Sequence, residues 1–105
     1  MKGLVFYTDN RHEYLEIEGL QHMQELVDGG IEYFETGLEG VGGYCNEFSK
    51  YECVPNIKAT KTWHNLLGYN PQDTLYGNII FCRDEEDLKP EDITAIRKAC
   101  AGWKN

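Results

Sequence analysis

Four cysteines, three histidines and eighteen acids are the side chains here with chemistry to offer, and their spacing decides which chemistry is open to them. Cys45, Cys53, Cys82 and Cys100 stand 8, 29 and 18 positions apart, with no C-x-x-C pair and no closely spaced His-Cys combination. Zinc sites take their ligands from such short pairs, so no metal site is expected. In a reducing compartment a free thiol behaves as a small apolar side chain, and Cys45, Cys82 and Cys100 each fall within apolar patterning that suits that role. Nucleophilic catalysis needs a Cys or Ser beside a general base held by a third group. His12, His22 and His64 fall in three separate segments without a signature neighbour, and the acids gather at element ends, where solvation accounts for them. There is no G-x-x-x-x-G-K-[ST] loop, and Gly40-Val41-Gly42-Gly43 lacks the strand-to-helix context of a dinucleotide fingerprint. The expectation is a non-enzymatic protein with no catalytic residues, no metal and no cofactor.

The densest polar stretch is YCNEFSKYECVPN, Tyr44 to Asn56. Asn suits a tight turn because its side chain bonds backbone two residues on, and Pro suits the end of a strand. One reading makes Asn46, Glu47, Pro55 and Asn56 a hairpin and its exit, bracing the backbone. The other makes Tyr44, Asn46, Glu47, Tyr51 and Asn56, with Trp63, a partner or ligand site, and adds the acidic run Asp84, Glu85, Glu86 and Asp87. Net charge favours a basic partner: 10 Lys and Arg against 18 Asp and Glu give −8, which repels phosphate backbones and lipid headgroups and attracts a basic protein surface. Direct nucleic-acid binding and membrane binding are not expected. Tyr14, Tyr33, Tyr51, Trp63 and Tyr69 are candidate exposed anchors, although a tyrosine also fits half-buried on a sheet with its hydroxyl wet.

These residues need a scaffold, and 105 residues suit one domain, 1–105, with a single compact core. The apolar run Leu4–Tyr7, the turn-like Asp9-Asn10 and the alternating Tyr14–Glu18 predict a hairpin. Leu20, Met23, Leu26 and Val27 recur at helical spacing and Gly29-Gly30 closes that helix. Ile31–Phe34 is a third strand, the glycines at 37, 40, 42 and 43 a flexible lead-in, and Tyr44–Asn46 with Tyr51–Val54 a second hairpin turning at Glu47–Lys50. Residues 57–70 show no clear period and read as a helical turn or a long loop over the sheet. Thr74–Cys82 is the strongest buried strand, and a helix opens at Pro90 with Ile93, Ile96, Cys100 and Trp103 on one face. The sum is an α+β domain, an antiparallel or mixed sheet of about five to six strands with two helices on one face. The opening MKGLVFYTDN is too short in apolar residues for a signal peptide or a membrane span, which predicts a cytosolic protein.

The ordered set L-x-x-M-Q-E-L-V-x-G-G-I-E (Leu20–Glu32), Y-C-N-E-x-x-K (Tyr44–Lys50), P-N-x-x-A-T (Pro55–Thr60), D-x-x-x-G-N-I-I (Asp73–Ile80) and D-L-K-P-E-D-I (Asp87–Ile93) resembles the family catalogued as domain of unknown function 3846. Members are small proteins mostly encoded by bacteriophages and integrative elements. Ser49, and the late-strand end Phe81-Cys82-Arg83, stand where that pattern often has glycine. The resemblance implies a mobile-element origin and a bacterial cytoplasmic site of action, with no activity to carry over. With the charge, it predicts a protein that binds and inhibits or modulates a bacterial host protein in antiviral defence or nucleic-acid processing, where an acidic face could imitate DNA phosphates. One alternative sequesters a nucleotide-like molecule on Gly40–Gly43 and the Asn46, Asn56 and Asn78 amides, a site that a homodimer interface could complete, with only Lys50, Lys58, Lys61 and Arg83 to hold phosphates. Another is a structural accessory protein.

Overall fold

The computed structural model describes residues 1–102. Five antiparallel strands, β1 (Lys2–Phe6), β2 (His12–Glu16), β3 (Ile31–Glu35), β4 (Val41–Asn46) and β5 (Ile79–Arg83), form one sheet in the order β2-β1-β5-β4-β3. Four helices accompany it: α1 (Leu20–Val27), α2 (Ser49–Glu52), α3 (Ile57–Leu67) and α4 (Pro90–Ala101). The α+β class and the antiparallel sheet agree with the sequence reading.

The central strands explain the layering. Leu4, Phe6, Ile79 and Phe81 point to one face, where Ala59 and Trp63 of α3 and Ile96 and Cys100 of α4 cover them. Val5, Ile80 and Cys82 point to the other, under Met23 and Val27 of α1. Strands apolar on both faces read as unbroken apolar runs, which is why β1 and β5 were legible. The two helices that share a face are α3 and α4, whereas α1 covers the opposite one. The edges of the sheet are β2 and β3, and each bears exposed acids, Glu13 and Glu16 on the first and Glu32 and Glu35 on the second.

Four local expectations are corrected. Residues 57–67 are a full helix whose buried side consists of Ala59, Thr60, Thr62 and Trp63. Both threonines hide the apolar period, and their burial is tolerated because each hydroxyl donates to a carbonyl one turn back, Thr60 to Asn56 at 2.7 Å and Thr62 to Lys58 at 2.8 Å. The helix stops at Gly68, in the left-handed region with φ 80°. Tyr51–Val54 is not a strand: the Asn46 side chain accepts from the Phe48 N–H at 2.7 Å, β4 ends, and the chain makes the single turn α2. Gly42 and Gly43 are no lead-in but the middle of β4, between β3 and β5. A Cβ on Gly43 would run into the Phe34 ring, and one on Gly42 would lie 2.8 Å from Tyr33, so the missing side chains make room for aromatic rings on both faces. Finally, Thr74–Asn78 precedes the strand instead of belonging to it. Gly77 sits at φ 77° and donates to Val54, while Leu75 accepts from the Asn56 N–H, so this run forms a strap beside α3.

Helix α4 begins at Pro90 as expected, and Ile96 and Cys100 face inward; Trp103 lies outside the described residues. Its first turn is held by Asp92, which accepts from Arg83 at 2.6 and 3.0 Å and from the Lys89 N–H at 2.7 Å. The Arg83 guanidinium keeps this carboxyl below the ordinary carboxylate range. A group whose folded value is depressed contributes stability above its unfolded value, about 3.9, and loses it as pH falls through the folded one. Asp92→Asn is therefore expected to cost about 2 kcal/mol at pH 7. It should also flatten the decline of stability below about pH 4, as read by urea denaturation across pH.

The fully buried Asn56 is the other anchor. Its Nδ2 donates to the carbonyls of Phe6 at 2.9 Å and Gly77 at 2.8 Å, and its Oδ1 caps α3 by accepting from the Ala59 N–H at 3.0 Å. Asn56→Ala removes a helix cap and orphans two carbonyls, so a loss of about 2–4 kcal/mol is expected in chemical denaturation.

Candidate functional site

The two asparagines of the Tyr44–Asn56 stretch turn out to be one device used twice. Asn46 Nδ2 donates to the last carbonyls of α1, Val27 at 3.1 Å and Asp28 at 3.0 Å, while its Oδ1 receives Phe48 at the start of α2. Asn56 does the same between β1, the strap and α3. Asn78 Nδ2 donates to Leu26 at 2.9 Å, and Gly42 and Gly43 are paired within the sheet. The three amides considered for a nucleotide, and Gly42 and Gly43, thus have partners inside the fold.

Around them the chain builds a cleft of about 290 Å³ on the α3 side of β3. The register of β3 on β4 sets Glu32 opposite Cys45, and Phe34 on the same face meets Trp63 edge to face at 5.3 Å. Trp63 is 8% exposed; its Nε1 donates to the Glu35 carbonyl at 2.7 Å, which fixes it as a wall of the cleft and not an exposed anchor. From α2 come Lys50 and Tyr51, with Glu47 just ahead of them; from the strap comes Tyr76, with Asp73 just ahead of it. Lys50 and Asp73 pair at 3.2 Å, both side chains half in solvent, and the carboxylate raises the ammonium's pKa. Tyr51 stands 89% exposed at the rim, and its neighbours Phe48 and Val54 are 55% and 61% exposed. Tyr33, 53% exposed, adds an aromatic from the edge strand.

Tyr33 also lines a second, more open trough of about 570 Å³ on the α1 side of β3. There Glu35, Glu39 and Asp84 surround Tyr44, whose ring meets that of Tyr33 at 5.6 Å, edge to face. The edge of the sheet at β3 is thus flanked on both sides by clefts that combine tyrosine with carboxylate.

Of the residues singled out in the sequence, Glu47, Tyr51 and Trp63 meet in the first cleft and Tyr44 and Asp84 in the second. Asn46 and Asn56 line neither and hold the backbone. Glu85 and Glu86 are exposed on the turn after β5, and Asp87 accepts from the Lys2 N–H at 2.7 Å, bracing β1. Tyr14 is half-buried against the α3–α4 core, and Tyr69 is exposed away from both clefts. Glu32, Asp73 and Tyr76 were missed, and Lys50 was singled out only as one of four cations to hold a phosphate. The Lys50–Asp73 pair joins segments far apart in the chain and leaves no local signal; the alternation of Glu32 with Tyr33 in β3 was the one trace available.

Among the described residues, no three His, Cys, Asp or Glu side chains converge as metal ligands would, and no helix is long and apolar enough to cross a membrane. A family model described as a domain of unknown function (DUF3846) matches residues 1–101. No curated protein and no solved structure matches the chain.

Burial pushes the Cys45 thiol at the cleft up to about 11, with the Glu32 carboxylate adding to the effect, and burial takes Cys82 to about 11 as well. Both remain protonated at neutral pH. Iodoacetamide at pH 8 is expected to alkylate the half-buried Cys53 first and to spare Cys45 and Cys82 until the protein unfolds, as peptide mass spectrometry would read.

Proposed function

We propose that this chain, which belongs to the DUF3846 family, is a non-enzymatic docking module that binds a basic bacterial protein through the face built on β3 and α2 and modulates it. One observation carries the reading: Phe48, Tyr51 and Val54 stand exposed just before, on and just after the single turn α2, and Tyr51 borders a cleft whose walls bear Glu32, Glu47 and Asp73. Single exposed apolar residues are ordinary, but a cluster rimmed by charge is the pattern of a protein interface, in which aromatic anchors supply affinity and the acids supply rate and selectivity. The second trough extends the acidic surface past Tyr33 to Glu35, Glu39 and Asp84, a spread suited to a partner that ordinarily meets phosphates. In this reading the partner is a host protein of antiviral defence or nucleic-acid processing, and occupancy of its basic groove inhibits it.

The test is capture from bacterial lysate by the tagged chain, comparing wild type with the double variant Phe48→Ser, Tyr51→Ala. A basic protein held in stoichiometric amount, reduced about tenfold or more by the variant and reduced again at high salt, is the expected result. Equal capture by both forms, or recovery of the tagged chain alone, rules the reading out.

A further inference from the structure

We infer, on the reading of this face as a docking surface, that the cleft beside Tyr51 receives the guanidinium of an arginine side chain presented by the protein partner. Glu32, Glu47 and Asp73 face Lys50 alone, so the lining carries three acids to one base, a local balance of 1 − 3 = −2. Phe34, Tyr51, Trp63 and Tyr76 supply aromatic surface to the same space. Carboxylates with aromatic rings make a receptor for an organic cation, which is attracted both by the acid and by the ring faces. The acids are spread along the walls and do not converge as metal ligands would, so a metal ion does not fit. A flat, delocalised cation does: a guanidinium can stack on one ring while its N–H groups reach carboxylates in its own plane, which a compact ammonium cannot. The volume of about 290 Å³ is at the small end of ligand clefts, the size for one long side chain and not for a folded element.

Lys50 identifies where the charge goes. Its ammonium already rests on Asp73 at 3.2 Å, so the carboxylate is placed to take a cation from the open side. Because both side chains are about half exposed, at 62% and 49%, the pair is weak and exchangeable. An incoming arginine displaces Lys50 into solvent, takes over Asp73 and Glu47, and is covered by Tyr51. The partner thus exchanges one hydrated arginine for one stacked between carboxylates and rings.

The full chain, labelled with ¹⁵N, is titrated with N-acetyl-arginine amide and, separately, with its neutral citrulline counterpart. Expected are saturable shifts at residues 32–34, 45–51 and 73–76 with the arginine probe and none with citrulline. Asp73→Asn should weaken the arginine response about tenfold. Lys50→Ala should strengthen it by up to about fivefold, because it removes the internal competitor. Equal shifts from citrulline, shifts spread over the whole acidic surface, or a response indifferent to Asp73→Asn each overturn the inference. Capture of a partner through Tyr51 without an arginine response also overturns it and leaves the docking reading standing. An arginine response in the cleft with no captured partner supports the guanidinium site and removes the docking reading.

Discussion

A buried amide with nowhere else to go ties this domain together. Asn56 lies beneath α3 with no access to solvent, so each of its polar atoms must find a partner in protein. Its Nδ2 group donates to the carbonyl at the end of β1 and to the carbonyl of Gly77 ahead of β5, and its oxygen accepts from the Ala59 N–H in the first turn of α3. The end of β1, the strap that leads into β5 and the start of α3 are thereby fixed to one another by one side chain. The neighbouring backbone adds to this, since the Asn56 N–H donates to Leu75 and Thr60 exchanges hydrogen bonds with the same residue. None of these bonds is strong in isolation, but leaving any of them unmade inside the core is costly, which enforces the arrangement.

The cleft inherits its shape from that constraint and from its counterpart at Asn46. One wall, Glu47 to Tyr51, hangs on a turn whose start is fixed by Asn46 and by the Glu47 N–H donating to Gly30. The opposite wall, Asp73 to Tyr76, is a strap fixed by Asn56 and Thr60. The floor is sheet and helix, where Phe34, Trp63 and Phe81 meet edge to face. Walls tied down in this way hold the backbone beneath the exposed side chains in place, so a partner docking on the proposed surface would have only the rim side chains left to order.

The elements legible from the sequence are those in which burial and side-chain period coincide. Strands β1 and β3 and helices α1 and α4 announced themselves by apolar runs or helical spacing, and the family match over residues 1–101 agrees with the motifs that suggested it. Helix α3 escaped because half of its buried side is threonine, apolar in behaviour only once the hydroxyls are spent on the backbone. Strand β4 escaped because Gly42 and Gly43 imitate a loop, although their neighbours Phe34, Tyr33 and Tyr44 need that space. Asn46 and Asn56 were open to two readings, a brace of the backbone or a partner site; they brace the backbone, through bonds that run across the fold and not within a hairpin. The site was half visible: its aromatic and acidic members in α2 and α3 stood out, while Glu32, Lys50 and Asp73 acquire meaning only when the edge strand and the strap close around them.

Strands β2 and β3 each leave one row of backbone groups unpaired, and such rows are templates on which further chains can add. Here the exposed side chains along both rows include Glu13 and Glu16, or Glu32 and Glu35. Two copies meeting edge to edge would bring these carboxylates toward one another. Growth of the sheet into fibrils is discouraged at neutral pH by this negative charge, and the proposed attraction of a basic molecule toward β3 would have the same electrostatic origin.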